Sequence, residues 1–506
     1  MTTDWKHVLA ANGKGAVVRE GNRVDALIDG PETYQAMYEA IRTTFSKQGG
    51  FYIYLLAWWL DGEVPLSPGD RDSVFTAMLR RASQEFGVQV RVLLWKNRVA
   101  SLWPFEPKAQ DRLHDEIGKL PTGACLLDNV LPNPYIAHHQ KVLIVKGAQG
   151  LIGFCGGLDI AFDRIRHVDL HDGSPFHDAH CRIEGPAACD LVDVFAQRWA
   201  AHPDAKSVDK AQEPLRGLAD RTPLKGSGKP AGTLSVGIAR TYLAPRQDVP
   251  PDRPDAWCAE NFSVWPMLQA AIAAARRFIY IEDQYLVGMA AADELAAVAG
   301  RLQHITILVN GRTDLPYNRL GMAKFVYRLW QDTRLSARIR IFHLPPGNGS
   351  YIHAKTWVID DELALIGSAN VNRRGWAADS EAHAAIYDKP ASAPAPSFAQ
   401  RYRMRLWSRH LGVDPDSVRN GTDPTPWVTA ANNDKVVTYD PFAQVSKKDA
   451  ERFPDPNAIA MAPAALAAYV VGYHGPKTIK GVWDNILDPP ARPAAPCPGS
   501  EKRCPR

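Results

Sequence analysis

The chain has 506 residues, 45% of them hydrophobic and 23% charged, ordinary globular proportions that allow a sizeable core and lead us to expect two to four domains of roughly 100–200 residues each. The formal charge of +4 is slight and Lys and Arg form no runs, which argues against a nucleic-acid binder working through a basic stripe. The start, Met1 to Trp5, lacks the apolar core of a signal peptide, and the late apolar run from Ala458 to Tyr473 is short and broken by Pro463, so no membrane-spanning helix is expected.

In chain order, Tyr34, Met37 and Ile41 have the spacing of a helix face, and Phe51-Tyr52-Ile53-Tyr54-Leu55 reads as a buried strand ending near Trp58-Trp59. A second strand is predicted over Val88 to Trp95. Trp58, Trp59 and Trp95 read mainly as core, whereas Trp103-Pro104-Phe105, in an irregular stretch, is the candidate contact with acyl chains or a membrane surface. Next comes His139-Gln140-Lys141, between Tyr135-Ile136 and the run Val142 to Val145, followed by the turn Gly156-Gly157-Leu158-Asp159. In an extended strand, side chains two apart share a face, so His139 and Lys141 reach the same space, while His138 points the other way and reads as a packing or hydrogen-bonding residue. A segment with Phe195-Ala196-Gln197-Arg198 closes this unit.

The stretch from His202 to about Gly232 is polar and rich in Pro and Gly, and reads as a linker. Lys225-Gly226-Ser227-Gly228-Lys229 inside it has neither the preceding strand nor the following Ser or Thr of a phosphate loop. The earlier pattern then repeats. Trp265, Leu268 and Ile272 precede the strand Phe278-Ile279-Tyr280-Ile281, and another strand follows at Ile305 to Val309. The second His-x-Lys triplet, His353-Ala354-Lys355, stands between Tyr351-Ile352 and Trp357 to Ile359, and leads to the turn Gly367-Ser368-Ala369-Asn370 and then to Phe398-Ala399-Gln400-Arg401. The order predicts a tandem duplication of one α/β unit. We therefore divide the chain at 1–203, 204–233, 234–411 and 412–506: first half, linker, second half, and a Pro- and Ala-rich extension with a loose tail from Pro489.

The second block, Ile352 to Asp360 with Gly367-Ser368-Ala369-Asn370 and Asp379-Ser380-Glu381, closely resembles the signature of the phospholipase D superfamily. The first block, His138 to Lys141 through Asp159, with Phe176-His177-Asp178 and Arg182 to Pro186, resembles its other half, and Ile279 to Tyr285 is similar to a strand of the phospholipase branch. The resemblance covers Val24 to Gly412. It departs at Lys146, where the pattern has Asp; that position lies at the far end of the strand from His139, so the change bears on local support more than on chemistry.

The resemblance implies two similar α/β/α sandwich halves with mixed central sheets, packed about a pseudo-twofold axis with the site at the seam. It implies His139 as nucleophile and His353 as general acid, forming a phosphohistidine. Lys141, Lys355 and Asn370 would neutralise the phosphate oxygens, Glu381 would orient His139 and Asp178 would orient His353, with Asp159, Asp360 and Ser368 in support. Asp159 can support Lys141 or tie down its turn; Asp360 reads as structural. The implied reaction is hydrolysis of glycerophospholipids to phosphatidic acid, with transfer to alcohols.

No cofactor or metal is expected; the seven cysteines lack metal-ligand spacing. Expected partners are a phospholipid, a membrane surface bound peripherally, and water or an alcohol, with no nucleic acid, in the cytoplasm or exported without a signal peptide. The alternatives are a cardiolipin-synthase-like phosphatidyl transferase, a nuclease and a non-catalytic lipid-binding scaffold. The last would be expected to have lost one of the four His and Lys residues.

Overall fold

The computed structural model describes residues 3–96, 107–129, 137–165, 175–221, 229–242, 262–311, 316–332, 336–345, 351–388, 395–443 and 446–448. Trp103-Pro104-Phe105, Lys225 to Gly228 and the tail from Pro489 lie outside these residues.

The first half carries strands β1 (Val17–Ile28), β2 (Tyr52–Ala57), β3 (Gln89–Trp95), β4 (Gly123–Asp128), β5 (Val142–Gly147), β6 (Gly150–Gly156) and β7 (Ala179–Glu184). The second carries β8 (Leu234–Thr241), β9 (Phe278–Asp283), β10 (His304–Val309), β11 (Ile339–His343), β12 (Lys355–Ile359), β13 (Leu363–Gly367) and β14 (Glu381–Tyr387), and a short β15 (Val437–Thr438) adds to β11. Hydrogen-bonded order in the first half is β1-β7-β6-β5-β2-β3-β4, and in the second β8-β14-β13-β12-β9-β10-β11. Each strand in these two orders has its counterpart, and β15 stands outside them. β2, β3 and β4 run parallel to one another, as do β9, β10 and β11, and the remaining pairs are antiparallel in both halves. This is the predicted α/β class, two similar halves with mixed central sheets.

β1 joins them. Its second part, Arg23 to Ile28, pairs with β7, whereas Val17 to Asn22 pairs with β8 across a register shift at Gly21, whose φ of 84° is accessible mainly to glycine.

The strands are apolar on both faces because both faces are covered. In β2, Tyr52, Tyr54 and Leu56 enter a core between the halves, while Ile53, Leu55 and Ala57 enter an outer core. β9 repeats the alternation, with Phe278 and Tyr280 inward and Ile279 and Ile281 outward. Helices Asp29–Arg42 and Phe75–Phe86 cover the first outer face with Tyr34, Met37, Ile41, Phe75, Met78 and Leu79. Helices Val264–Ala274 and Met289–Ala299 cover the second with Met267, Leu268, Ala292 and Leu295.

Inside, helix Pro186–Ala201 packs on the first sheet and helix Phe398–Leu411 on the second. The latter is bounded by the Ser397 hydroxyl, which accepts the Gln400 N–H, and by left-handed Gly412. Within the expected linker, Ala205–Ala211 is helical and Arg216–Asp220 is a 3₁₀ turn; this turn hydrogen-bonds Gln89 and Tyr54. Among the described residues no helix is long and apolar enough to cross a membrane.

Candidate active site

Each His-x-Lys segment is stitched by backbone bonds to the other half. The His139 N–H donates to Ser380 O at 2.9 Å and the Ser380 N–H to Ala137 O at 2.9 Å. In the same way the His353 N–H donates to His177 O at 2.7 Å and the His177 N–H to Tyr351 O at 2.8 Å. Ser380 and His177 immediately precede the residues that open the way into β14 and β7, Glu381 and Asp178. The exchange of bonds thus sets a carboxylate of one half beside a histidine of the other.

His139 Nδ1 lies 3.0 and 3.1 Å from the two carboxylate oxygens of Glu381, and the Ser368 hydroxyl also donates to Glu381. His353 Nδ1 lies 2.6 Å from Asp178 Oδ2. With Nδ1 engaged, Nε2 of each ring is the nitrogen available for chemistry. Glu381 and Asp178 are fully buried, while the two rings keep 15% and 10% of their side-chain surface, so the imidazoles alone of these four reach solvent.

Lys141 Nζ pairs with Asp159 Oδ2 at 3.1 Å, and Asp159 Oδ1 accepts the N–H groups of Trp58 and Trp59 at 2.9 and 3.2 Å. Asp159 thus both supports Lys141 and ties its turn to the end of β2. The second half closes the same junction from the other side: Asp283, at the end of β9, accepts the Val371 N–H just past Asn370. Lys355 donates to Gln284 Oε1 and to its own strand at His353 O. Asn370 is buried, and its Oδ1 has no hydrogen-bond partner among the described residues, an orphan polar atom of the kind a ligand satisfies.

Burial and cations set the protonation of this cluster. Burial pushes the His139 imidazole well below its ordinary range, and Lys141 and Lys355 push it further. His353 is lowered by burial and then by Lys355 and Arg164. Burial raises Glu381 to about 7 and Asp178 to about 6, against the pull of neighbouring cations, and brings Lys355 down to about 8. Both rings are therefore predominantly neutral in the resting site. A bound anion would favour protonating one of them.

The structure thus brings His139, Lys141, Glu381, Ser368 and Asp159 to one side of the seam, with His353, Lys355, Asp178 and Asn370 converging on it. Asp360 stands at the far end of β12, where its carboxylate accepts the N–H groups of Arg276, Arg277 and Phe278. Lys146 ends β5 in the matching place and lies 3.5 Å from Asp220. His138 is buried against Ser380 Oγ at 2.7 Å and Asp128 at 3.1 Å. Trp58 and His139 meet in a T-shaped contact, with Lys141 over the Trp58 ring.

Sequence reasoning gave no role to three neighbours: Asp283, His177 and Arg164. Asp283 and His177 sit inside segments that carry the family resemblance. Arg164 follows no motif; its guanidinium stacks on Phe176, which stacks on His353, and it lies 3.7 Å from Asp178.

The comparisons with known proteins agree with this duplicated arrangement. Residues 268–406 match a family model described as a cardiolipin synthase, phospholipase D-like domain. Phospholipase D alpha 1 of Cynara cardunculus is 24% identical over 72% of this chain, and phospholipase D delta of Arabidopsis thaliana is 24% identical over 73%. The chain is thus similar to members of the phospholipase D superfamily. It spans 62% of the length of each of these two plant relatives. Cardiolipin synthase 2 of Staphylococcus epidermidis is 26% identical over 50% of this chain and 44% of its own length. The crystal structure of a phosphatidylserine synthase from Haemophilus influenzae superposes with a TM-score of 0.56 over 96% of this chain and all of that one, at 14% identity. The likeness of fold to that synthase therefore extends through both halves, beyond the segment that the family model covers.

Proposed function

We propose that the chain is a phosphodiesterase of glycerophospholipids that works through a phosphohistidine and releases phosphatidic acid, or passes the phosphatidyl group to an alcohol. The observation that carries this reading is the pair of seam imidazoles, each tied at Nδ1 by a carboxylate of the opposite half. Lys141, Lys355 and the amide N–H of Asn370 would supply the positive charge and donors that the non-bridging oxygens of a phosphodiester need. In the first step His139 Nε2 attacks phosphorus; the P–N bond forms, the P–O bond to the head group breaks, and protonated His353 gives its proton to the departing alkoxide. In the second, neutral His353 takes the proton of a water or alcohol whose oxygen attacks phosphorus, the P–N bond breaks, and His139 is restored.

His353 needs a proton for the first step, although burial and cations disfavour it in the resting site. The anionic substrate supplies the compensating charge, so binding and protonation are coupled. A phosphatidyl transferase with an alcohol acceptor uses the same two steps. The cardiolipin synthase description of the matched domain and the Staphylococcus epidermidis relative favour that variant.

Mass spectrometry of products from mixed phospholipid vesicles, with and without glycerol and ethanol, tests the reading. Phosphatidic acid in water and phosphatidylethanol in ethanol are the expected products. Release of diacylglycerol, or no turnover of any phospholipid, would overturn it, and products formed only when an alcohol is present would make the protein a dedicated transferase.

A further inference from the structure

Behind the Asp178–His353 pair lies a buried cluster that the reaction above does not use. His177 Nδ1 is 2.8 Å from Asp29 Oδ1, and its Nε2 is 2.7 Å from Glu282 Oε2. Asp29 and His177 belong to the first half and Glu282, on β9, to the second. We propose that Asp29, His177 and Glu282 form a clasp between the halves that holds the Asp178–His353 pair in register, making His177 a positioning residue for protonation of the leaving group.

The geometry connects the clasp to the pair at three points. The main chain of His177 exchanges bonds with Tyr351 and His353, as described above. Asp29 Oδ1 also accepts the Asp178 N–H at 3.1 Å, and the Asp29 N–H donates to Asp178 O at 2.9 Å. Asp29 has a φ of 66°, a left-handed conformation uncommon outside glycine, asparagine and aspartate. The anchors of the clasp are themselves held: Asp29 by the Arg409 guanidinium, and Glu282 by His410 Nε2 at 3.0 Å and the Tyr280 hydroxyl at 2.6 Å.

A neutral imidazole has one N–H, so a ring facing a carboxylate at each nitrogen is satisfied fully only as the imidazolium. Burial opposes that charge, but Asp29 and Glu282 overcome it and lift His177 to about 10. His177, Glu282 and His410 have the residue types of a metal site. However, ligand atoms on a tetrahedral zinc stand about 3.3 Å apart, and the 2.7 Å between His177 Nε2 and Glu282 is a hydrogen-bond distance.

The proposal rests on the reading of His353 as general acid, and two measurements separate them. Nitrogen NMR of histidine-labelled wild-type protein at pH 7, with His177 assigned by its loss in His177→Gln, should show a ring with two N–H groups; a neutral His177 would overturn the clasp whatever the enzyme does. Glu282→Gln keeps the shape of the side chain and removes its charge. Its kcat should fall at least tenfold more on dibutyroylphosphatidylcholine, whose choline leaving group needs a proton, than on bis(p-nitrophenyl) phosphate, which needs little. Equal losses on the two diesters would assign Glu282 a merely structural part and overturn the positioning role. If instead wild-type protein cleaves neither diester, the functional reading fails while the NMR result still decides the clasp.

Discussion

The two corners of the seam solve one problem with different parts. At the His139 corner the carboxylate is Glu381, and Ser368 adds a hydroxyl to it. At the His353 corner the carboxylate is the shorter Asp178, and the position matching Ser368 is Gly157, where a Cβ would stand 2.0 Å from Asp178 Oδ1. The glycine is what lets the aspartate occupy that space. The buried histidines behind the corners differ as well: burial and the nearby Arg198 keep His138 low, despite Asp128, whereas Asp29 and Glu282 raise His177. The duplicated backbone supplies two equivalent places for an imidazole, and the unlike side chains around them allow unequal tasks.

The largest expected effect bears on that inequality. His139→Ala and His353→Ala should each lower turnover of an alkyl diester by on the order of 10⁴-fold. They should part on a p-nitrophenyl diester: His353→Ala still accumulates labelled phosphoenzyme in rapid-quench experiments, and His139→Ala forms none. Label recovered on His353 would exchange the two roles. Next in size, Asp178→Asn and Glu381→Gln should each cost about 10²–10³-fold in kcat. The Asp178 change should weigh more on the alkyl than on the aryl substrate and the Glu381 change equally on both; the same pattern for both variants would erase the distinction between the corners.

Proton linkage sharpens the comparison further. Because burial and the lysines depress both rings, binding of an anion such as tungstate at pH 7.5 should draw protons from solution, up to one per site. Calorimetry in buffers of different ionisation enthalpy measures this uptake. It should vanish in acid, where the ring is already protonated, and again in alkali, where the anion no longer suffices to protonate it. Anion binding with no proton uptake across this range would mean that charge in the site is already balanced.

The smallest effects lie at the far ends of β5 and β12. Asp360→Ala removes an acceptor from three backbone N–H groups and should cost about 1–3 kcal/mol of stability in denaturant titration. Lys146→Asp should leave turnover within about tenfold, or roughly 1.4 kcal/mol of barrier. A change of several orders of magnitude at Lys146 with an unchanged melting temperature would place that residue in the chemistry.

Much of this arrangement was legible because it is repeated. Two His-x-Lys triplets in apolar runs, each followed by a glycine turn, marked the duplicated extended segments at β5 and β12, and the apolar spacing of Tyr34, Met37 and Ile41 marked the first outer helix. What sequence could not supply was pairing across the seam. Nothing local in Ser380 or His177 signals that their backbones bond the opposite histidine segments, and the assignment of Glu381 to His139 and Asp178 to His353 came from family resemblance. The clasp around His177 was illegible for the same reason, since Asp29 and Glu282 lie more than a hundred residues away in the chain, and Arg164 because it stands outside any motif. Between residues 205 and 220 the few buried apolar positions, Ala205 and Leu215, gave too little periodicity to reveal a helix and a 3₁₀ turn.

The shared strand β1 bears on how far the two halves can move. It is bonded to β7 through Arg23 to Ile28 and to β8 through Val17, Val18, Arg19 and Asn22, so the halves cannot swing apart like jaws without unzipping a ladder and wetting the core between the sheets. The seam is a continuous ladder rather than a hinge. Any adjustment around the two imidazoles falls to side chains and local segments rather than to the two halves moving as bodies.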